Sequence, residues 1–237
     1  AEDARSTEVI KPFLAGRDVK RYEMAQSNRF LLFIPWHFPL HKDNSITGAS
    51  LKAEIEFEKQ YPAIFGHLTK FKEDLGKRNT AETGVRYEWY ALQRCAASYF
   101  EEFDKPKIMV PAIVNKATYG YDTSGMYSND KTSIIPVNDF YLLGLLNSKA
   151  VDFVLRQISS SKRGGYFEYK PVYVSTLPIV STPDPAIKEQ IIDLVTRILA
   201  AKQADKDADT GVLEAEVDGL VYGLYGLTEE EVKIIES

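Results

Sequence analysis

The stretch Ile158-Ser-Ser-Ser-Lys-Arg-Gly-Gly-Tyr-Phe-Glu-Tyr-Lys-Pro-Val-Tyr-Val-Ser-Thr-Leu-Pro178 decides how the central part of this chain is organised. A strongly apolar helical pattern leads into it, and Lys170–Pro178 predicts a strand that leaves it. Three serines, two adjacent cations and two glycines lie between, without a hydrophobic period, so the sequence predicts a polar loop. Such a loop can bind a ligand or be merely solvated, and its own residues leave both interpretations open.

The residues of this loop suit an anion or the edge of a nucleobase as a ligand. Serines and glycines allow backbone N–H groups to face outward, and Lys162 and Arg163 add two charges that suit phosphate oxygens or guanine edges. Other segments of the sequence are needed to distinguish a ligand-binding loop from a solvated one.

Length and composition indicate a globular protein. A chain of 237 residues is long enough to bury a core, as one large domain or two small ones. The single Cys95 excludes an internal disulfide and a thiolate metal site, which favours a reducing, cytoplasmic location. No run approaches the length of a membrane span, and we expect no membrane partner. The start at Ala1, without Met, suggests a fragment of a longer protein.

The net charge of −5 is unevenly distributed. Residues 181–237 contain 13 acidic and 5 basic residues, whereas residues 1–180 contain 24 basic and 21 acidic residues. A mildly basic body with an acidic tail is compatible with polyanion binding by the body, although it does not require it.

Two further stretches combine cations with aromatic rings. Arg17, Lys20 and Arg21 lie within five residues of one another and precede Tyr22, which predicts either a phosphate-contacting patch or a solvated face with one ion pair. Gly84–Arg94 interleaves arginines with aromatic residues, which can stack on bases or can pack as a half-buried cluster.

The pattern along the chain favours an α+β fold, with a mixed body of short strands and helices followed by a helical C-terminal tail. Strands are predicted at the apolar runs that proline marks, and helices where apolar residues recur at three- and four-residue spacing. We predict a body at residues 1–180 and a tail at 181–237 that packs on the body or on a partner. The predicted strands are Phe30–Trp36, Lys107–Ile113, Lys131–Pro136 and Lys170–Pro178, and the main predicted helices are Ala53–Lys77 and Asn138–Gln157.

Catalytic and metal-binding motifs are not evident in the sequence. The three histidines, His37, His41 and His67, lack the spacing of a metal site, and no glycine-rich strand-to-helix loop suggests a nucleotide cofactor. No Asn-Pro-Pro-Tyr-like tetrapeptide and no convincing nuclease pattern is present. An independent hydrolase therefore has no motif in its favour.

The order of several short blocks resembles the TaqI-like C-terminal specificity domain of adenine-specific DNA methyltransferases and type IIG restriction–modification enzymes. Each block alone is loose, and the resemblance rests on their order over nearly the whole chain. The blocks are Lys11–Tyr22, Tyr61–Leu68, Trp89–Arg94, Lys105–Pro111, Tyr141–Ser148, Ser159–Glu168 and Leu220–Glu231.

The resemblance implies that this chain recognises a target in double-stranded DNA. It also implies a parent whose N-terminal methyltransferase domain binds S-adenosylmethionine and flips the target adenine, so no cofactor is expected here. Whether that parent also cleaves DNA stays open, and the alternative is a protein-interaction module that docks through the acidic tail. The residues expected to contact DNA are Arg17, Lys20, Arg21, Tyr87, Trp89, Arg94, Ser160, Ser161, Lys162, Arg163, Tyr166 and Glu168.

Overall fold

The computed structural model describes residues 4–23, 26–78, 86–96 and 98–237. The chain forms two compact units, one of Ala1–Pro12 and Asn28–Glu102, the other of Phe13–Ser27 and Phe103–Ser237. Both contain helices and short strands, so the predicted α+β class is confirmed. None of the helices in the described ranges is long and apolar enough to cross a membrane.

The first unit is built on helices that follow one another along the chain. The helical prediction for Ala53–Lys77 is confirmed, although the first helix begins earlier because the Ser50 hydroxyl accepts a hydrogen bond from Ala53 N at 3.2 Å and caps it. Phe57 lies fully buried in a core that also contains Tyr90. The helices are α1 (Leu51–Gln60), α2 (Pro62–Thr69) and α3 (Lys72–Gly76).

The predicted buried strand at Phe30–Trp36 is wrong in its extent and its burial. After β1 (Ile10–Leu14), strand β2 covers only Arg29–Leu32, and Phe30 is 67% exposed. The buried residues of the run follow the strand, where Pro35 has no N–H to donate and His37 adopts a left-handed φ of 63°. An apolar run shows that the segment is buried in part, but not where the strand ends.

The second unit contains short antiparallel sheets. The Pro-marked strands predicted at Lys107–Ile113 and Lys131–Pro136 are confirmed as β3 and β7, which pair antiparallel with Met109 opposite Ile134. One sheet has the order β5-β3-β7, another β4-β9-β8, and β1 pairs in parallel with β6. The strands are β3 (Lys107–Pro111), β4 (Ile113–Val114), β5 (Gly120–Asp122), β6 (Tyr127–Ser128), β7 (Thr132–Ile135), β8 (Ser161–Lys162) and β9 (Tyr166–Glu168).

The predicted helix Asn138–Gln157 is two helices, α4 (Phe140–Asn147) and α5 (Lys149–Ile158). Ser148 separates them because its ψ of 151° is extended and its hydroxyl accepts from Val151 N, which caps α5. The cap of α4 is Asp139, whose carboxylate accepts a hydrogen bond from Leu142 N at 3.0 Å. Apolar spacing continues through the break, so periodicity alone does not reveal it.

The strand predicted at Lys170–Pro178 is wrong. The chain there forms a short helix, α6 (Pro171–Val174), because Pro171 stands at the first helical position, where its fixed φ suits a helix and its missing N–H is not needed. The strand lies earlier, at β9, inside the stretch predicted to be a loop.

The helical tail is confirmed. A capping box is present at Thr228 and Glu231, and Gly226, with a φ of 64°, follows the second tail helix. Ile191 and Val217 are fully buried in a core shared with α4, where a Cβ on Gly144 would lie 2.8 Å from Ile191 Cγ2. The predicted domain boundary at residue 180 stays a prediction. The tail helices are α7 (Pro185–Ala204), α8 (Gly211–Leu224) and α9 (Glu229–Glu236).

Candidate functional site

The polar stretch after α5 forms a β-hairpin. Strands β8 and β9 pair antiparallel, with Lys162 opposite Tyr166, and a three-residue loop joins them. Within that loop Gly164 and Gly165 have φ values of +83° and +77°, which residues with side chains rarely adopt. A three-residue hairpin loop with glycine in the left-handed region is a common solution. The sequence predicted a polar loop here, and the Gly-Gly pair is the signal that could have indicated a hairpin.

Glu168 fixes the base of the hairpin. Its carboxylate lies 2.9 Å from both Lys162 Nζ and Lys170 Nζ, and its side chain is only 11% exposed. These two lysines, with Lys162 contributing most, hold the pKa of Glu168 below its ordinary value. Glu168 therefore positions Lys162.

Arg163 is at the hairpin loop and is exposed. Within the described part of the chain no ion pair or hydrogen bond holds its guanidinium, unlike the neighbouring Lys162. Ser161 is also exposed, whereas Ser160 Oγ lies 2.8 Å from Tyr173 Oη and ties the hairpin to α6. The guanidinium of Arg163 is therefore available to a ligand.

The basic groove lies beside this hairpin within the second unit, with a volume of about 840 Å³. Tyr166 of β9 and Ile113 of β4 line it, and each is a little under half exposed. Glu23 and Glu214 are its acidic side chains. The basic side chains that line it are Arg17, Lys20, Arg21, Lys116, Lys131 and Lys202.

A single 3₁₀ turn, Gly16–Asp18, presents Arg17, and Lys20 follows this turn. Asp18 Oδ2 accepts a hydrogen bond from Ala15 N at 2.9 Å and fixes the turn, while Arg17 keeps a side chain that is 83% exposed. Lys20 Nζ donates to Arg17 O at 3.1 Å. The turn sits so close to β7 that a Cβ on Gly16 would lie 2.6 Å from Lys131 O. Glycine is required for this approach.

Arg21 lines the same groove but is held by the protein. Its Nε lies 2.5 Å from Glu214 Oε2 in α8, and its Nη1 donates to the backbone oxygens of Asn147 and Ala117. Its side chain is 20% exposed. This geometry favours a positioning role for Arg21 over direct ligand contact.

Tyr87, Trp89 and Arg94 belong to the first unit, while the start of their predicted stretch, at residues 84 and 85, lies outside the described residues. The Tyr87 ring is buried and stacks on Trp36 with a centroid distance of 5.9 Å. Trp89 is half-buried and donates from Nε1 to Glu54 at 2.7 Å, while Arg94 is exposed. The predicted ligand contact of these three residues stays a prediction, and for Tyr87 the covered ring gives it no support.

The lysines at positions 116, 131, 202 and 206 were not predicted from the sequence. Lys116 and Lys131 stand alone in loops between short strands, and Lys202 and Lys206 lie in the acidic tail. No local pattern links them to Arg17, since only the folded chain brings them to one surface.

Comparison with known proteins identifies the family. The family model of the TaqI-like C-terminal specificity domain matches residues 11–179, which is most of the chain. The chain belongs to the TaqI-like specificity domain family. This segment includes the hairpin, Arg17 and Lys20, and it ends before Lys202.

Among relatives of this specificity domain, the type II methyltransferase M.MjaIV of Methanocaldococcus jannaschii is 27% identical over 222 residues, which are 90% of this chain and 67% of the relative. The type IIL restriction–modification enzyme MmeI, solved in complex with DNA, matches with a TM-score of 0.62 and 17% identity over 96% of this chain. The type IIG endonuclease BpuSI has a TM-score of 0.45 and 12% identity over 93% of it. The chain spans 29% and 27% of these two solved enzymes.

Proposed function

We propose that this chain recognises the target sequence in double-stranded DNA for a restriction–modification adenine-N6 methyltransferase, as its C-terminal specificity domain. The observation that carries the proposal is the basic groove, because it unites Arg17 and Lys20 with Tyr166 of the hairpin, although almost 150 residues separate them in the sequence. Membership of the specificity domain family supports it, as does the fold shared with an enzyme solved on DNA.

The groove and the hairpin beside it suit this task in two ways, the first through the groove and the second through Arg163, which lies outside the groove lining. Six basic side chains against two acidic ones attract the phosphate backbone without regard to sequence, and such contacts fix the register of a duplex. The guanidinium of Arg163 can donate two parallel hydrogen bonds to O6 and N7 of guanine, which is a sequence-dependent contact. We assign contacts to the phosphate backbone to Arg17 and Lys20, and recognition of the bases to the hairpin.

Methyl transfer belongs, in this proposal, to an N-terminal methyltransferase domain of the same protein, which would supply S-adenosylmethionine as the methyl donor. No residue of this chain is assigned to the cofactor or to catalysis. Extruding an adenine from the duplex costs on the order of a few kcal/mol, and a second surface that holds the DNA offsets part of that cost. Whether the same protein cleaves DNA is a separate property.

The rival function was a protein-interaction module that docks through the apolar stripe of the acidic tail. Ile191, Val195 and Ile198 of that stripe are fully buried and belong to the same core as the apolar face of α4. The stripe is therefore already covered within the second unit and is not free to dock a partner.

A salt titration of duplex binding tests the proposal in the full natural protein that carries this chain. We expect the logarithm of the association constant, log K, to fall linearly with the logarithm of the salt concentration. In Arg17→Ala/Lys20→Ala the slope should shrink by about 0.9 for each phosphate that the protein no longer neutralises. Arg197→Ala/Lys233→Ala removes the same charge from residues that do not line the groove, and should match the wild type. Absent or salt-insensitive binding by the wild type would favour an interaction module instead.

A further inference from the structure

The end of α7 contributes to the basic surface. Lys202 lines the basic groove, and the cations that line a second groove of about 570 Å³ are Arg17, Lys20, Lys202 and Lys206, against two acidic side chains, Asp18 and Glu23. The two grooves share the first three of these cations, so the basic surface continues from the hairpin to the loop that follows α7. The family match ends at residue 179 and does not include this part of the chain.

The position of these two lysines is unusual within an acidic tail. Of the other tail cations, Lys188 lies 5.5 Å from the centre of the Tyr141 ring and Arg197 pairs with Asp193 at 3.5 Å. Lys206, by contrast, is exposed and has no ion-pair partner among the residues that the structure describes. The aspartates of the same loop, at positions 205, 207 and 209, line neither groove.

The tail is fastened to the groove by a specific network. Glu214 of α8 accepts from Arg21 through one carboxylate oxygen and from Thr210 Oγ1, at 2.7 Å, through the other. Lys202 Nζ donates to Ala208 O at 2.7 Å, which holds the loop between α7 and α8 against the end of α7. Lys202 is therefore held beside Arg17 and Lys20, and Lys206 lies in the loop that follows, where it lines the same groove.

We infer that Lys202 and Lys206 contact the phosphate backbone of the duplex, so that the helical tail is part of the DNA-binding surface. This inference rests on the proposed function. An ammonium group is a compact point charge that suits a phosphate, and such a contact does not depend on base sequence. The acidic composition of the tail conceals this role because 13 acidic residues outnumber its five basic ones, of which Lys202 and Lys206 line the grooves.

The test compares duplex binding of Lys202→Ala/Lys206→Ala with the wild type over a series of salt concentrations, in the full natural protein. The probe is a duplex of mixed sequence. We expect the slope of log K against log salt to shrink by about 0.9 for each lysine removed, about 1.8 in all, with no change in sequence preference. Arg197→Ala/Lys233→Ala, with the same charge change in the tail, should keep the wild-type slope.

A second variant guards against misfolding, because Lys202 also holds the loop after α7. Lys206→Glu changes only an exposed side chain and should weaken binding at low salt while the melting temperature stays that of the wild type. Wild-type slopes in both Lys202→Ala/Lys206→Ala and Lys206→Glu would overturn the inference and leave the proposed function intact. If the wild type does not bind duplex DNA, or binds it without any dependence on salt, the proposed function is overturned, and the inference with it.

Discussion

Lys162 and Arg163 are adjacent in the sequence, yet their surroundings differ. Lys162 shares Glu168 with Lys170, whereas Arg163 has no such partner within the described residues. The backbone alone therefore sets the position of Arg163, through the left-handed glycines that follow it. The sequence predicted that this pair is exposed and cationic, but it could not distinguish the two roles.

The variant Arg163→Ala should therefore lose DNA specificity without losing stability. If Arg163 reads a guanine edge, we expect a loss of about 1–3 kcal/mol at one base position, because both hydrogen bonds to that base disappear. Competition binding with duplexes that differ at single positions measures it, and thermal melting should stay unchanged. Lys206→Ala, which removes another exposed cation, is the control that should weaken all duplexes alike. Equal affinities of Arg163→Ala and the wild type for every duplex would exclude the readout role.

A substitution at Gly16 tests whether the close packing of the 3₁₀ turn positions Arg17 and Lys20 for DNA binding. An added methyl group would lie 2.6 Å from Lys131 O, so the 3₁₀ turn has to move away from β7. We expect Gly16→Ala to lower the free energy of unfolding by about 1–3 kcal/mol, as overpacking does. It should also weaken DNA binding although no charge has changed.

The matched control is Gly66→Ala in α2, where nothing lies within 4 Å of the added methyl group. Alanine is the better helix former by about 1 kcal/mol, so this variant should be as stable as the wild type or more so. Urea denaturation measures both variants. A Gly16→Ala protein with wild-type stability and wild-type affinity would show that the close approach is dispensable.

At the scale of elements, Glu168 makes the stability of the hairpin depend on pH. Its pKa is lower in the folded chain than its ordinary value of 4.5, because Lys162 and Lys170 stabilise the carboxylate. Its contribution to stability is therefore present above pH 4.5 and is lost as the pH falls through the lower folded pKa. Acidification should therefore weaken the ion pairs that hold the hairpin.

Nuclear magnetic resonance can follow this titration at the Glu168 side-chain carboxyl carbon. We expect Lys162→Gln to raise the pKa of Glu168 toward 4.5, since it removes the larger of the two stabilising interactions. Lys206→Gln, which is not in contact with Glu168, should leave the titration as in the wild type. An unchanged curve in Lys162→Gln would mean that the ion pair does not form in solution.

The elements that the sequence predicts well are those with a strong local signal. Helices α7 to α9 follow an apolar period, α9 also has a capping box, and β3 and β7 are short apolar runs with proline at their ends. The predictions of elements were wrong where a single residue overrides the sequence pattern of its segment. Ser148 divides a continuous apolar period, and Pro171 starts a helix in a segment rich in strand-forming residues.

At the scale of the whole molecule, the basic surface could not be predicted from the sequence. Arg17, Lys131, Tyr166 and Lys202 lie in four distant segments, and each is unremarkable beside its sequence neighbours. Only tertiary packing places them along one groove within a chain whose net charge is −5. The uneven charge between body and tail predicted a basic body, but the contribution of the tail was missed.

The most direct test of the central claim is a map of methylated bases in DNA from cells that express the full natural protein. We predict that the wild type methylates adenine at N6 within one defined sequence. The hairpin variant Lys162→Ala/Arg163→Ala should relax or change that sequence at one or two positions, while Arg197→Ala/Lys233→Ala should methylate the wild-type sequence. An identical sequence and an identical extent of methylation in the hairpin variant would contradict the assignment of target recognition to this hairpin.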